Sequence, residues 1–248
     1  MTVVAIIQAR TGSTRLPGKV LRLLAGRSVL AHVIERVQAA KAVDRVVVAT
    51  TTQSADDELA REALHYGARV FRGSEQDVLS RYFFAATEAG ADIVTRVTSD
   101  CPLLDPGVVS AMLDRFMKAA ASGKGFDYMS NGLRRTFPRG LDTEVFTLAA
   151  LGMAHSTATQ SYEREHVTPY LYQHPEQFRI HSFEGEDDLS RYRWTLDTEE
   201  DFAMLTRVFD ALSRSGSLIA TAEVLEFLQR HPDVARINSG VRQKALGE

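Results

Sequence analysis

Residues 3–19 read VVAIIQARTGSTRLPGK. The apolar run Val3, Val4, Ile6 and Ile7 has the pattern of a buried strand, and a loop leaves it at once. That loop holds Gly12 and Gly18, small hydroxyl residues, and the fixed cations Arg10, Arg15 and Lys19. A flexible loop of that content, leaving a strand, can turn its amides and charges onto a phosphate chain. The competing reading is a surface turn with solvated cations.

Neither common mononucleotide motif is present. Five residues separate Gly12 from the Gly18-Lys19 pair, where a P-loop has four, and Val20 stands where Ser or Thr would bind magnesium. The dinucleotide pattern GxGxxG is absent too.

Strand and helix patterns alternate beyond the loop. Val29, Leu30, Val33, Ile34 and Val37 share a helical face, and Arg45–Ala49 reads as a buried strand. An acidic helix over 55–66 stops at Gly67, and Val70-Phe71 is a short strand. Ser74 with Asp77 resembles a capping box opening a helix to about Glu88. Ile93–Val97 is a further strand, and Asp105-Pro106 opens a helix running to about Ala121. The expected fold is α/β, a doubly wound and mostly parallel sheet of Rossmann-like type.

The second half is less regular. Short strands and turns are expected over 126–146, and helices near 147–156 and 162–173. Strands are expected at Phe178–Glu184 and Tyr192–Leu196, side by side, then helices at 199–214 and 221–230 and a polar tail. With no strong linker, residues 1–248 are expected to form one domain with a small inserted lobe at about 126–185.

Composition narrows the function. A net charge of −3 gives no footprint for nucleic acid, so an anion site must be local. The one cysteine, Cys101, excludes a disulfide framework and a CxxC metal site, and is expected to be a small packing residue. No apolar run approaches the roughly 20 residues that cross a bilayer. No signal-like segment precedes the first strand, so the expected location is the cytoplasm, with no membrane partner.

Two aspartates stand at strand ends. Asp100 follows the strand 93–97, and in an open parallel sheet ligands bind beyond the carboxyl ends of strands. Asp197 follows Trp194–Leu196 and precedes a helix. A pair of carboxylates beside a phosphate loop suits magnesium, which takes one or two carboxylates with phosphate oxygens and water. Each aspartate also has a plain reading, Asp100 as a cap before Pro102 and Asp197 as a helix N-cap with Glu200 three residues on.

The loop, taken with VVVATTT (46–52), FRGSEQDVLSRY (71–82), RVTSDCPLLDP (96–106), FPRGLDTEVF (137–146), EREHVTPYLY (163–172) and RWTLDTEEDF (193–202), resembles the cytidylyltransferases that activate acidic sugars. That family includes acylneuraminate and 3-deoxy-octulosonate cytidylyltransferases, and the likeness is nearest to the spore-coat polysaccharide biosynthesis protein F branch. It runs in order through roughly residues 3 to 205.

The resemblance implies a nucleotide-diphospho-sugar transferase-like fold, CTP as donor, a sugar acceptor, Mg2+ as cofactor and a homodimer through the lobe. It implies that Asp100 and Asp197 hold the metal, that Arg10 and Ser13 contact the phosphates, and that Arg15 and Lys19 neutralise their charge. Gln8, Ala9, Gly12 and Thr98 would complete the nucleotide site, with Arg72, Gly73, Asp77 and Arg81 against the nucleoside. Asp77 and Arg81 are also spaced as a surface ion pair on a helix. Thr98-Ser99 departs from the Gln-Gly of the octulosonate enzymes.

Arg139, Asp142, Glu144, Arg164 and His166 are the acceptor candidates. Arg139 or Arg164 suits a bidentate fork with a sugar carboxylate, and His166 a base for the attacking hydroxyl. Two other functions remain open. One is a nucleotide-sugar glycosyltransferase, although Ser99-Asp100-Cys101 lacks its DxD pair. The other is a non-catalytic nucleotide-binding module.

Overall fold

The strand Val3–Gln8 (β1) lies at the centre of the molecule, and every residue from Val3 to Ile7 is buried. Its alternation divides two layers. Val3, Ala5 and Ile7 face one apolar cluster, while Val4 and Ile6 face another. Burying each of the valine and isoleucine side chains contributes about 1.5–3 kcal/mol. The computed structural model describes residues 1–214 and 216–244.

The chain continues through a small hairpin, Leu23–Leu24 (β2) and Arg27–Ser28 (β3), into helix Val29–Gln38 (α1). Then come Arg45–Thr51 (β4), Asp57–His65 (α2), Arg69–Gly73 (β5), Val78–Glu88 (α3), Ile93–Thr98 (β6) and Pro106–Ala121 (α4). The second half adds Tyr128–Ser130 (β7), Glu144–Thr147 (β8), Leu148–Thr157 (α5), Ser161–His166 (α6), Pro169–Gln173 (α7) and Ile180–Ser182 (β9). Glu199–Leu212 (α8), Thr221–Arg230 (α9) and Pro232–Arg236 (α10) close the chain.

Seven strands form one sheet in the order β5-β4-β1-β6-β8-β7-β9. Parallel pairing joins β5, β4, β1 and β6, with Ile6 opposite Val47 and Arg96. Only β8 is reversed, being antiparallel to both β6 and β7, and β9 is parallel to β7. The expected α/β, mostly parallel architecture is therefore present. Helices α1, α2 and α4 cover one face, and α3, α5 and α7 the other. A third cluster, including Leu16, Leu141 and Trp194, joins α8 and α9 to the loop side. Residues 126–185 supply β7, β8 and β9 to this same sheet. No helix among the described residues is long and apolar enough to cross a membrane.

Several local expectations need correction. Helix α3 is capped by Asp77, whose carboxylate accepts from Ser80 N, while Ser74 Oγ accepts from Asp77 N one step earlier. Residues 192–196 are not a strand beside β9. They make a single bridge, Arg139 to Arg193, because β9 pairs with β7 instead. The expected helix over 162–173 breaks at Val167, a buried β-branched residue at φ 73°. Such a conformation costs about 1–3 kcal/mol and persists where surrounding packing imposes it. The polar tail contains the short helix α10, and its last residues, 245–248, lie outside the described residues.

Candidate active site

The loop after β1 is tied down before it reaches the site. Thr11 donates its backbone N–H and its hydroxyl to Asp56 Oδ1 at 2.8 and 2.7 Å. Thr51, at the end of β4, donates to the other oxygen of Asp56. Burial opposes charge on Asp56, yet the hydrogen bonds from Thr51 and Thr11 outweigh it and hold the carboxyl below its usual range. Gly18 N closes the loop on Thr11 O at 3.0 Å. Gly18 itself sits at φ 67°, a region that favours glycine.

That turn delivers Lys19 into the space between two strand ends. Its ammonium donates to Asp100 Oδ2 at 2.7 Å, Leu196 O at 2.7 Å and Asp197 Oδ1 at 2.8 Å. All three protons are thus engaged. Thr98 donates to the second oxygen of Asp100 at 2.6 Å. The second oxygen of Asp197 meets Arg15 at 3.1 Å and Arg193 at 2.9 Å. Burial lowers the Lys19 pKa, but its two carboxylate partners more than reverse this, so the net shift is upward. Burial likewise raises Asp100, and the Lys19 charge and hydrogen bond carry it below the usual carboxylate value.

Both aspartates therefore converge on one cation. An ammonium within 2.8 Å of Asp100 and Asp197 marks a volume that a small divalent ion would share. The described residues hold no group of three or more His, Cys, Asp or Glu placed for a metal. The donor set fits magnesium, whose remaining ligands come from phosphate and water.

A cavity of about 620 Å³ runs from this cluster to the antiparallel half of the sheet. At its inner wall Glu144 accepts from Thr168 Oγ1 at 2.6 Å, from the Tyr128 hydroxyl and from Arg96. Burial pushes the Tyr128 phenol well up, and Glu144 beside it adds to the shift. With three donors on it, Glu144 is a fixed wall group. The break at Val167 sets Thr168 and Pro169 on this wall together with His166. Burial lowers the His166 pKa below the usual imidazole value, despite Glu165 nearby. Asp142 accepts from Gly140 N at 2.8 Å and from Arg135. Arg139 lines the cavity, and among the described residues its guanidinium makes no ion pair.

The cavity gathers Gln8, Arg15, Thr98, Asp100, Asp197, Arg139, Asp142, Glu144 and His166 from the sequence candidates. Lys19 joins them through the two aspartates. Arg10 does not line the cavity and lies 3.6 Å from Glu75. Other candidates are engaged elsewhere. Arg164 forks onto Asp77, with Nε to Oδ1 at 3.0 Å, and donates to His155 O at 2.7 Å. It is not among the residues lining the cavity. Arg72 donates to Thr51 O, Gln53 O and Asp57. Arg81 is no surface partner of Asp77. It is buried, donates to Ser74 O at 2.6 Å, and keeps Nε and Nη2 without partners. Gly73 stays bare because an added Cβ would come within 3.1 Å of Arg81 and Phe71. Cys101 is buried beside Thr98 and Asp100, and burial raises its thiol well above the usual value.

Several contributors have no sequence precedent above: Asp56, Arg96, Tyr128, Thr168, Arg193 and Asp201. Asp201 had a readable signal. Helix α8 is capped by Thr198, not Asp197, and Asp201 is the third residue of its capping box. The Asp201 carboxylate accepts from the backbone N–H of Asp197 at 2.9 Å and of Thr198 at 3.1 Å.

A family model described as Cytidylyltransferase matches residues 4–231. The spore coat polysaccharide biosynthesis protein SpsF of Bacillus subtilis is 32% identical over 237 residues, covering 93% of this chain and 95% of that protein. A 3-deoxy-manno-octulosonate cytidylyltransferase of Geobacter sulfurreducens is 39% identical over 111 residues, 44% of this chain and 43% of that one. The solved structure of a cytidylyltransferase from Leptospira borgpetersenii superposes with a TM-score of 0.90 at 34% identity, covering 99% of each chain.

Proposed function

The chain belongs to the cytidylyltransferase family, and on that premise we propose that it moves a cytidylyl group from CTP to a hydroxyl of an acidic sugar. The reaction releases pyrophosphate and serves the building of a surface polysaccharide or glycan. One observation carries the reading: Asp100 and Asp197 meet on a single cation at the mouth of a sugar-sized cavity.

In this reading the triphosphate lies along the loop 9–19. Arg10 and Ser13 contact its phosphates, with Gln8, Ala9, Gly12 and Thr98 along its edge, and the nucleoside runs toward Gly73. Asp100 and Asp197 would hold magnesium, which when bound would supply Lewis-acid chemistry at the phosphates. Lys19 and Arg15, held on the two aspartates before substrate arrives, turn to the charge that builds on the α-phosphoryl group and the departing pyrophosphate. Losing one such group costs about 2.7–4 kcal/mol of transition-state stabilisation.

The acceptor fills the inner cavity. Arg139, lacking a carboxylate partner, receives the sugar carboxylate. Glu144 and Asp142, held by their neighbours, take sugar hydroxyls. His166 is neutral at pH 7 because burial lowers its pKa, so it can accept the proton of the attacking hydroxyl. A cytoplasmic location and a homodimer through residues 126–185 belong to the same reading.

The test is pyrophosphate release from each of the four nucleoside triphosphates, with magnesium and a panel of 2-keto-3-deoxy sugar acids. CTP-selective, magnesium-dependent release that Asp100→Ala abolishes is the expected result. Turnover of Asp100→Ala within a few-fold of the parent would sink the mechanism.

A further inference from the structure

The cytidylyltransferase match ends at residue 231, yet the active-site cluster does not. After α10 the chain folds back over the 193–201 segment. Asn238, buried there, donates its amide to Arg193 O at 2.9 Å and to Asp201 Oδ1 at 2.8 Å. Asp201, itself fully buried, forks onto Arg193 with Nε at 2.9 Å and Nη2 at 3.0 Å. The remaining terminal nitrogen of Arg193 donates to Gln243 Oε1 at 2.8 Å. From that fixed position Arg193 reaches Asp197 Oδ2 at 2.9 Å.

Gln243 has a second face. It lines the large cavity beside Arg139, and also a smaller one of about 240 Å³ between Arg139 and the tail. Arg193 is a donor only, so the amide must offer it oxygen. The NH2 end is therefore turned away from Arg193, and no hydrogen bond within the described residues engages it.

We propose that residues 238–243 are a working part of the active site, with Asn238 and Gln243 as positioning residues. They clamp Arg193, and Arg193 aims the Asp197 carboxylate. Gln243 in addition offers its NH2 to an anionic or hydroxyl group of the acceptor next to Arg139. The acceptor part rests on the function proposed above, whereas the clamp does not.

Gln243 is exposed, so replacing it leaves the core intact. Two variants separate its roles. Gln243→Leu removes both ends of the amide. Gln243→Glu keeps an oxygen for Arg193 and removes the NH2. Hydrogen–deuterium exchange of the unliganded protein reads the clamp without any chemistry. Peptides spanning 193–198 are expected to exchange several-fold faster in Gln243→Leu and at the parental rate in Gln243→Glu. Electron paramagnetic resonance of Mn2+ in the presence of CTP is expected to show about tenfold weaker binding for Gln243→Leu alone, the scale of one charge-assisted hydrogen bond. The KM for the acceptor is expected to rise in both variants, with the KM for CTP unchanged in Gln243→Glu.

Parental exchange at 193–198 in Gln243→Leu would overturn the clamp. Parental acceptor KM in Gln243→Glu would overturn the acceptor contact. A parent protein that binds no Mn2+ with CTP would count against the proposed function, while the exchange experiment would still decide the clamp.

Discussion

The ammonium of Lys19 lies 2.8 Å from Asp197 Oδ1, across a sequence separation of 178 residues. The same ammonium lies 2.7 Å from Asp100 Oδ2. It therefore sits where a divalent ion shared by these carboxylates would sit, so a metal held there would compete with the ammonium for one volume. Removing the amine by Lys19→Met is expected to raise the affinity of the free protein for Mn2+ on the order of tenfold, through lost like-charge repulsion. It is also expected to lower turnover by 10²-fold or more, as phosphate neutralisation is lost. Mn2+ titration without nucleotide checks the first effect. Weaker binding would show that Lys19 supports the metal instead of competing with it.

Acid stability should carry the mark of Asp56. Its folded pKa lies below the ordinary value of 3.8, so the unfolded chain binds more protons in the acid range and stability rises with pH there. The contribution is fully present above that ordinary value and disappears as pH falls through the folded one. Asp56→Asn is expected to cost about 1.5–3 kcal/mol at pH 7, the scale of hydrogen bonds to a charged acceptor. The gap to the parent should narrow toward pH 3. Urea unfolding at several pH values checks this, and a pH-independent gap would remove the carboxylate from the account.

Arg139 and Arg164 look alike in sequence as forks for a sugar acid, and the structure separates them. Arg164 is paired with Asp77 at the edge of the fold, its partner about a third exposed. Arg164→Ala is expected to lower stability by about 1 kcal/mol and leave the acceptor KM unchanged. Arg139→Ala should keep the Tm and raise the acceptor KM at least tenfold. Steady-state kinetics with a thermal melt on both variants tests the split, and the reverse pattern would exchange their roles.

Gly140 is a backbone contact in its own right. It sits at φ 108°, and an added Cβ would come within 2.6 Å of the Trp194 carbonyl carbon. Gly140→Ala combines strain with a clash against main chain, so a loss of about 3 kcal/mol or more is expected. Denaturant midpoints check it. A variant as stable as the parent would mean that the 139–193 bridge is dispensable.

The parts legible in sequence are those that short-range patterns determine. The β1 run, the loop with Lys19, and the Asp105-Pro106 start of α4 each depend on neighbours within a few residues. Asp100 and Asp197 were legible because both end apolar runs, although β6 is a strand and 192–196 is held by a single bridge. Alternation in Tyr192–Leu196 mimics a strand because Trp194 and Leu196 point into the C-terminal core. The clamp on Arg193 was not legible. It joins Asp201, Asn238 and Gln243, residues whose spacing obeys no helix or strand period. The kink at Val167 was hidden for a related reason. Only packing around a buried valine sets the angle.

The cluster at the cavity mouth has a kinetic consequence. Lys19, Arg15 and Arg193 are matched by Asp100, Asp197 and Asp201, three charges against three. Without substrate this cluster exerts little field at a distance, so it offers a diffusing triphosphate no long-range attraction. Capture speed is left to encounter geometry, to Arg139, whose guanidinium makes no ion pair among the described residues, and to the pair of Arg10 and Glu75, which is itself balanced. An enzyme built this way should associate with its nucleotide at a rate that falls only weakly as ionic strength rises. Its selectivity would then lie in how long a ligand stays once the cations have changed partners.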